Sequence, residues 1–513
     1  MGLAALLIIA VILILAAVLS VSDNLIQIEA KKLGVDTKKR NMSIFPDLSA
    51  LASKPTPSFA APGKFHRLRK GHDIKLVGAA QGPVIKGAVT RYAVKPTDYR
   101  GIAPIPKLEV VVGDEVKAGD VLFYDKMNPE IFFVAPVSGE VVEIRRGAKR
   151  AISHVVILAD KVQKHKQHDI INVENATRLE IVEYLKATGA WTLLDQRPFN
   201  VLADPTQIPE NIFISTFSTA PLAPDSGINL DGRAADIQEA IDTLNKLTQG
   251  KVYLGLDGRG ASPHSALLNV TGAEKNYFAG KHPAGNVGIQ IHHTAPIKST
   301  GVVWTLTLDN LLILGRLMNA GVYDTSKIVA LSGAQFIEPS LVQTYAGASL
   351  DELTRGNITS EGKTRLVLGD VLSGKTAGED DFISANTNLV TALKEGDEYE
   401  LFGWLLPIKP RPSISKTMPG FLMPDHQYEA NTNTHGEKRA FVVTGQYEKM
   451  LPMDIYPQHL LKAIMTGDIE RMEGLGINEL SEEDIALAEF ACTSKMPLQE
   501  ILRDGLDMMR EQA

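Results

Sequence analysis

The sequence predicts a multidomain α/β and β protein with a helical C-terminal region, and three stretches carry that prediction. Between Val110 and Ile144, VVVGDEVKAGDVLFYDKMNPEIFFVAPVSGEVVEI sets short apolar runs between tight polar turns, the pattern of a compact all-β unit. From Asn211 to Gly258, NIFISTFST, ADIQEAIDTLNKL and KVYLGLDG alternate strand, helix and strand. From Lys327, KIVALSGAQFIEPSLVQTYAGASLDELTRG reads as strand, glycine turn, strand and helix start, compatible with a β-grasp. At 513 residues, 44% hydrophobic and 22% charged, the chain has room for roughly three or four such domains.

In chain order, Gly2 to Val21 carries no charge and is long enough to cross a bilayer, so residues 1–21 read as a transmembrane helix. No basic residue precedes it, whereas Lys31, Lys32, Lys38, Lys39 and Arg40 follow, which puts the N-terminus outside and the rest in the cytoplasm. A cleaved signal peptide would carry its positive charge in front of a shorter apolar core. A start at Met42, which would leave the apolar span out, is the alternative. Residues 22–64 read as a linker that ends in KPTPSFAAPGK. The all-β unit takes 65–160, with Gly113 and Gly119 setting sharp turns and Pro136 to Gly139 making the return. The β–α–β region takes 161–325 as a Rossmann-like layer, opened by a helix at TRLEIVEYLKATGAW with Gly189 as its C-cap. The β-grasp takes 326–415, with Leu350 and Leu353 inward and TRLVLGDVLSGK and EYELFGWLLPIK continuing the sheet. A mixed, helical region takes 416–513, where Ser481 caps a helix with an acidic first turn.

Composition excludes several chemistries. A formal charge of -7 with no basic, aromatic-laced stripe argues against nucleic-acid binding. One cysteine, Cys492, leaves no intramolecular disulfide and no cysteine-ligated zinc or iron–sulfur cluster on this chain alone. Cys492 lies in an apolar helical run and reads as a packed side chain. His165 and His168 have i,i+3 spacing but sit in a lysine-rich stretch, so they read as a charged surface connection rather than metal ligands. The glycine-rich loops LDGRGASPHS and FAGKHPAGNVG lack G-x-G-x-x-G spacing and are not P-loops. The best titratable groups are His282, in GKHPAG, and the pair His292–His293. Read as strand neighbours, His292 and His293 point to opposite faces. His72 and His435 have no evident partners.

The motif G-D-x-V-x-x-G-D-x-L … APxSGxVxxI resembles the barrel-sandwich hybrid of lipoyl and biotinyl carrier domains, with Lys126 near the place of their modified lysine. The stretch from Lys327 resembles the soluble-ligand-binding β-grasp (SLBB) module of the flavin-binding subunit of respiratory complex I. In this fixed order, with KGHDIKLVGAA, GAWTLLDQRPF, FAGKHPAGNVGIQIHH, ELFGWLLP, MLPMDIYP and EEDIALAEFAC, the chain from Phe65 onward resembles the NqrA family. Its members belong to sodium-translocating NADH:quinone reductases and are relatives of RnfC. The resemblance implies a translocase subunit on the cytoplasmic face of the bacterial inner membrane, without a tightly bound cofactor. It further implies a quinone-interacting role, with flavins, an iron–sulfur centre and NADH oxidation on partner subunits, or else a scaffold that binds no quinone. His282, His292 and His293 are then candidates to line a quinone or interdomain pocket. No such subunit has a swinging arm, so Lys126 reads as a solvated turn residue. The family has no transmembrane helix, and here the N-terminal span departs from it.

Overall fold

The computed structural model describes residues 55–512 apart from 62, 104, 299–300, 379, 400–401, 403–409 and 415–418, together with scattered helical positions between 10 and 26. It divides into two units, Met1–Ser58 and Phe59–Ala513. The expected membrane helix lies largely outside the described residues, among which no helix is long and apolar enough to cross a membrane. Most of EYELFGWLLPIK also lies outside them.

Two short strands open the second unit, and neither pairs with its sequence neighbours. Strand β1 (Lys64–Arg67) joins the edge of the later α/β sheet, and β2 (Val84–Lys86) joins the edge of the β-grasp sheet. The barrel follows as β3 (Arg91–Val94), β4 (Lys107–Leu108), β5 (Glu115–Val116), β6 (Val121–Tyr124), β7 (Phe132–Val134), β8 (Gly139–Arg146) and β9 (Ile152–Ala159). Its two sheets have the orders β3-β9-β8-β5 and β4-β6-β7. The repeated Gly-Asp dipeptide builds the same turn twice. The Val111 N–H donates to the Asp114 carboxylate at 2.8 Å and the Lys117 N–H to Asp120 at 2.7 Å. Gly113 and Gly119 take the left-handed φ of 98° and 94° that each turn needs at its third position. Between the sheets, Leu122, Phe123, Phe133 and Ile157 are fully buried, and the Phe123 and Phe133 rings stack at 4.7 Å.

The α/β layer starts at α1 (Arg178–Ala187), whose capping box pairs Thr177 with Glu180, and Gly189 turns it off at φ 78°. Next come β10 (Asp195–Arg197), β11 (Val201–Leu202), β12 (Asn211–Ser215), α2 (Ala234–Leu247), β13 (Val252–Asp257), α3 (Ser265–Leu268), β14 (Ala273–Ala279), α4 (Val287–Thr294), β15 (Val303–Thr307) and α5 (Leu308–Ala320). The sheet order is β1-β14-β13-β12-β15-β10-β11, parallel from β1 to β15, with β10 antiparallel to both its neighbours, β15 and β11. The chain runs outward from β12 to β14 and then returns to the other side of β12, so strand order reverses between β12 and β15. Helices α2 and α5 pack so closely that a Cβ on Gly315 would lie 1.9 Å from the Asp236 carbonyl oxygen.

The β-grasp comprises β16 (Ser326–Ser332), β17 (Ser340–Tyr345), α6 (Leu350–Thr354), β18 (Thr364–Leu368), β19 (Lys375–Ala377) and β20 (Leu389–Lys394), in the order β19-β18-β20-β16-β17-β2. Leu350 and Leu353 of α6 are buried, as the sequence predicts. The C-terminal region is helical: α7 (Tyr447–Met450), α8 (Pro457–Met465), α9 (Ile469–Gly474), α10 (Glu482–Phe490) and α11 (Leu498–Gln512). Leu460, Leu461, Leu487, Leu502 and Leu506 form its core with buried Cys492, whose Sγ lies 2.7 Å from the Tyr447 hydroxyl. Ile74, Leu76 and Ile289 join the same core and fasten this region to the α/β layer.

At the barrel's return turn, a Cβ on Gly139 would lie 2.0 Å from the Leu158 carbonyl oxygen. Gly139→Ala is therefore expected to cost about 3 kcal/mol, read as a lower urea midpoint with an unchanged slope.

Candidate functional site

Open sheets of this kind receive ligands at the carboxyl ends of their strands, where strand order reverses. In this chain that end is filled from within. Beyond β12, the Ser215 hydroxyl donates to the Gly285 carbonyl at 2.7 Å and accepts from the Gln290 amide at 2.9 Å. A Cβ on Gly255 would lie 1.9 Å from that same Gln290 side chain. The first turn of α4, where a phosphate would dock on free N–H groups, instead faces α10. A Cβ on Gly288 would be 2.2 Å from an Asp484 carboxylate oxygen, and the Asn286 amide donates to the Glu483 carbonyl at 2.9 Å. Buried Arg197 holds the two acids, 3.1 Å from Glu483 and 3.5 Å from Asp484. Burial and the Asp484 charge push the Glu483 carboxyl up to about 7, with Arg197 opposing. In the loop after β13, Arg259 is bound by its own neighbour Asp257 at 2.8 Å.

The structure separates the three predicted histidines. His282, 3% exposed, lies in the loop after β14, its Nδ1 3.1 Å from the Thr219 hydroxyl. Its N–H donates to Asp73 at 2.9 Å, and its carbonyl accepts from His72 at 3.0 Å, so it wedges the segment after β1 against the sheet. Burial lowers its pKa, against Asp370 and Asp73, and keeps the ring neutral. His292 and His293 lie on helix α4 rather than on a strand, and their rings meet edge to face at 5.1 Å. Alternation in GIQIHH suggested period two, but Asn286 at the N-cap starts a helix that buries Ile289 and Ile291 together. His292 Nδ1 lies 2.5 Å from Glu479, and its Nε2 accepts the Asp454 N–H at 3.2 Å, which places the ring proton on Nδ1. His293 Nε2 donates to the Pro452 carbonyl at 2.6 Å. Both clamp α4 to the C-terminal region.

The other histidines and Lys126 have structural roles. His165 bridges to Ala118 and His168 packs beside Gly119. Both rings carry a buried nitrogen, so the segment is a half-buried strap along the barrel and not a solvated connection. Among the described residues, no group of three or more His, Cys, Asp or Glu could hold a metal ion. Lys126 is exposed at the β6–β7 hairpin tip, over buried Asp125, which accepts the Ala103 N–H at 2.8 Å. His435 donates its backbone N–H to Asn433.

A different cluster lies where barrel, α/β layer and β-grasp meet, around a cavity of ≈ 70 Å³. The barrel side contributes Asp98, Tyr99 and Val134, the α/β layer Asp195, Asn310 and Tyr323, and the β-grasp Ser384 and Asn386. Two buried lysines hold the loop that closes it. Lys95 donates to the Phe382 carbonyl at 2.6 Å and pairs with Asp381 at 3.2 Å. Lys327 donates to the Ala385 carbonyl at 2.7 Å and pairs with Asp309 at 3.0 Å. Inside, the Asp195 carboxylate has no hydrogen bond or ion pair among the described residues, and burial pushes it up to about 6 against Arg197 and Arg100. Burial also raises Asp98, against Lys95 at 3.8 Å, Lys375 and His154. The Tyr99 phenol is raised by burial, with Tyr323, Asp98 and Asp195 adding to the effect. Burial pushes Tyr323 up to about 12. Asn310, 3% exposed, donates its Nδ2 to the Leu193 carbonyl, and its Oδ1 has no hydrogen-bond partner among the described residues. Sequence reasoning missed this cluster; the one available signal was a lone acid, Asp195, in the apolar run WTLLDQRPF.

The raised Asp195 pKa means that the ionised side chain costs folding free energy. Its contribution is fully present below about pH 4 and is lost as pH rises through about 6. Asp195→Asn is expected to gain about 1–2 kcal/mol at pH 8, after discounting for partial exposure. Thermal melts should show a higher midpoint than the parent at pH 8 and a gap that closes towards pH 4.

Family models match in three places: the "NqrA N-terminal barrel-sandwich hybrid domain" over residues 66–160, the "NqrA second alpha/beta domain" over 176–323 and the "NQRA C-terminal domain" over 328–379. The NqrA component of the Na(+)-translocating NADH-quinone reductase of Serratia proteamaculans is 35% identical over 457 residues, covering 87% of this chain and 99% of its own. That of Shewanella frigidimarina is 35% identical over 449 residues, with the same two coverages of 87% and 99%. A solved NAD+-reducing [NiFe]-hydrogenase matches 45% of this chain and 52% of its own at 12% identity and a TM-score of 0.29, too slight a likeness to define a fold. The chain belongs to the NqrA family, the A components of the Na(+)-translocating NADH-quinone reductases.

Proposed function

We propose that this chain is the quinone-interacting accessory subunit of the sodium-translocating NADH-quinone reductase, with no redox centre of its own. As a member of the NqrA family, it is one component of a multisubunit, sodium-pumping respiratory enzyme. NADH oxidation, the flavins and the iron–sulfur centre are assigned to partner subunits, in keeping with a single, buried cysteine here. The chain is placed on the cytoplasmic face of the inner membrane, with Gly2 to Val21 as an added anchor.

The three-domain cleft is the observation that supports a quinone role. It combines apolar walls, such as Val134 and Ile313, with phenols and protonatable acids in one place. Sites for small organic ligands likewise join apolar walls to convergent polar groups, although the lining here is as polar as it is apolar. A cavity of about 150 Å³ accommodates a benzene ring. The ≈ 70 Å³ here holds only waters, so a headgroup enters as the domains part and the Lys95 and Lys327 ties yield. His282, His292 and His293 are proposed as interdomain contacts rather than ligand groups.

A photoreactive azidoquinone applied to the assembled complex tests this. Label is expected on peptides spanning 95–100, 192–195 and 384–386, and excess quinone should suppress it. Label confined to the membrane subunits would leave the chain a scaffold that binds no quinone.

A further inference from the structure

We infer that the basic tip of the β8–β9 hairpin docks on the anionic headgroups of a phospholipid surface. This rests on the membrane placement proposed above and not on the quinone reading. In a chain of formal charge -7, residues 145–150 read RRGAKR, four basic residues in six with no acid among them. β8 and β9 are eight residues each, the longest strands of the barrel, and every residue from Arg146 to Arg150 at their turn is exposed. Arg145 anchors the base of the tip. Its Nε pairs with Glu143 at 3.0 Å, and its Nη1 donates to the Asp380 carbonyl at 2.9 Å. Beyond it, no carboxylate among the described residues pairs with Arg146, Lys149 or Arg150; the Arg146 guanidinium donates only to the Arg150 carbonyl, at 3.3 Å.

The turn itself does not ask for these residues. Lys149 and Arg150 hold left-handed φ of 53° and 61°, a conformation that costs a side-chain-bearing residue and that glycine takes readily. Positive charge is kept where local backbone preference favours something else, which points to a use outside the fold. The core of a protein–protein interface is apolar and poor in lysine, whereas this tip sets only Gly147 and Ala148 between its cations. An anionic headgroup layer requires charge alone, and each basic residue brought to it strengthens binding about fivefold. The same hairpin carries the loop that closes the three-domain cleft. The Arg145 guanidinium lies 5.4 Å over the Phe382 ring, and His154 of β9 is 3.3 Å from Asp381. Docking of the tip therefore brings that loop to the membrane surface, where a ligand dissolved in the bilayer arrives.

The test places a fluorophore on Gly147→Cys in the full chain. A Cβ there meets nothing within 4 Å, and the native Cys492 is buried. Quenching is read with vesicles bearing a nitroxide on a fraction of their headgroups, made either of phosphatidylcholine alone or with about a third phosphatidylglycerol. Quenching is expected to be at least about threefold greater on the anionic vesicles and to be lost in high salt. Combining Arg146→Gln, Lys149→Gln and Arg150→Gln should reduce it to the neutral-vesicle level. Combining Lys117→Gln, Lys126→Gln and Lys281→Gln, the same change in net charge elsewhere, should leave it intact. The apolar stretch from Gly2 to Val21 and the basic residues after it are the same in both variants, so they cannot produce the difference. The comparison of the two vesicle types stands without the variants should they disturb the turn. Equal quenching on both vesicles, equal loss in both variants, or no quenching with the tip instead covered by a partner subunit in the assembled complex would each overturn the inference. None of these outcomes alters azidoquinone labelling of the cleft, which tests the quinone reading separately.

Discussion

Two buried lysines set the relation of the three N-terminal domains. Lys95 reaches from the barrel and Lys327 from the first strand of the β-grasp, and both end on the loop from Asp381 to Asn386. Each lysine satisfies a backbone carbonyl and an acid at once, so neither charge is buried uncompensated. Asp381 is drawn well below the usual carboxylate range. Burial opposes this, but His154, the Phe382 amide and Lys95 outweigh it. With the loop fixed, Ser384 and Asn386 close one side of the cleft, and Asp98, Tyr99 and Asp195 are gathered under it.

The same economy closes the other obvious site. A parallel sheet with a reversal of strand order normally leaves a crevice and a helix N-terminus for a phosphate. Here the carboxylates of α10, neutralised in part by Arg197, stand over the start of α4, while His282 and the segment after β1 cover the neighbouring strands. The C-terminal region thus takes the place of a nucleotide, and His292 and His293 fasten it. The fold keeps the architecture of a nucleotide-binding layer while its own side chains occupy the working end.

Much of this was legible in the sequence where structure is local. The Gly-Asp turns of the barrel, the capped helix α1, the strand–helix–strand run from Asn211 and the β16–β17 hairpin all follow from nearby residues, and the dense motifs point to the right family. What resists reading is what depends on distant partners. Strands β1 and β2 are four and three residues without a usable period, and they owe their existence to Asn276–Ala279 and Leu341–Gln343. GIQIHH carries a two-residue alternation that tertiary packing turns into a helix. The cleft draws Asp98, Asp195, Asn310 and Asn386 from separate domains, with no spacing to link them. The histidines attracted attention because the free imidazole titrates near neutrality, yet one nitrogen of each is spent, on Thr219, Glu479 and Pro452 respectively.

If the quinone headgroup meets this chain, it does so in the three-domain cleft and not at the filled end of the sheet. Hydrogen exchange of the assembled complex, with and without a tightly bound quinone-site inhibitor, addresses this directly. Added protection is expected in three separated segments only, 92–100, 192–197 and 381–388. Protection centred on 280–294, or none anywhere in the chain, would contradict it.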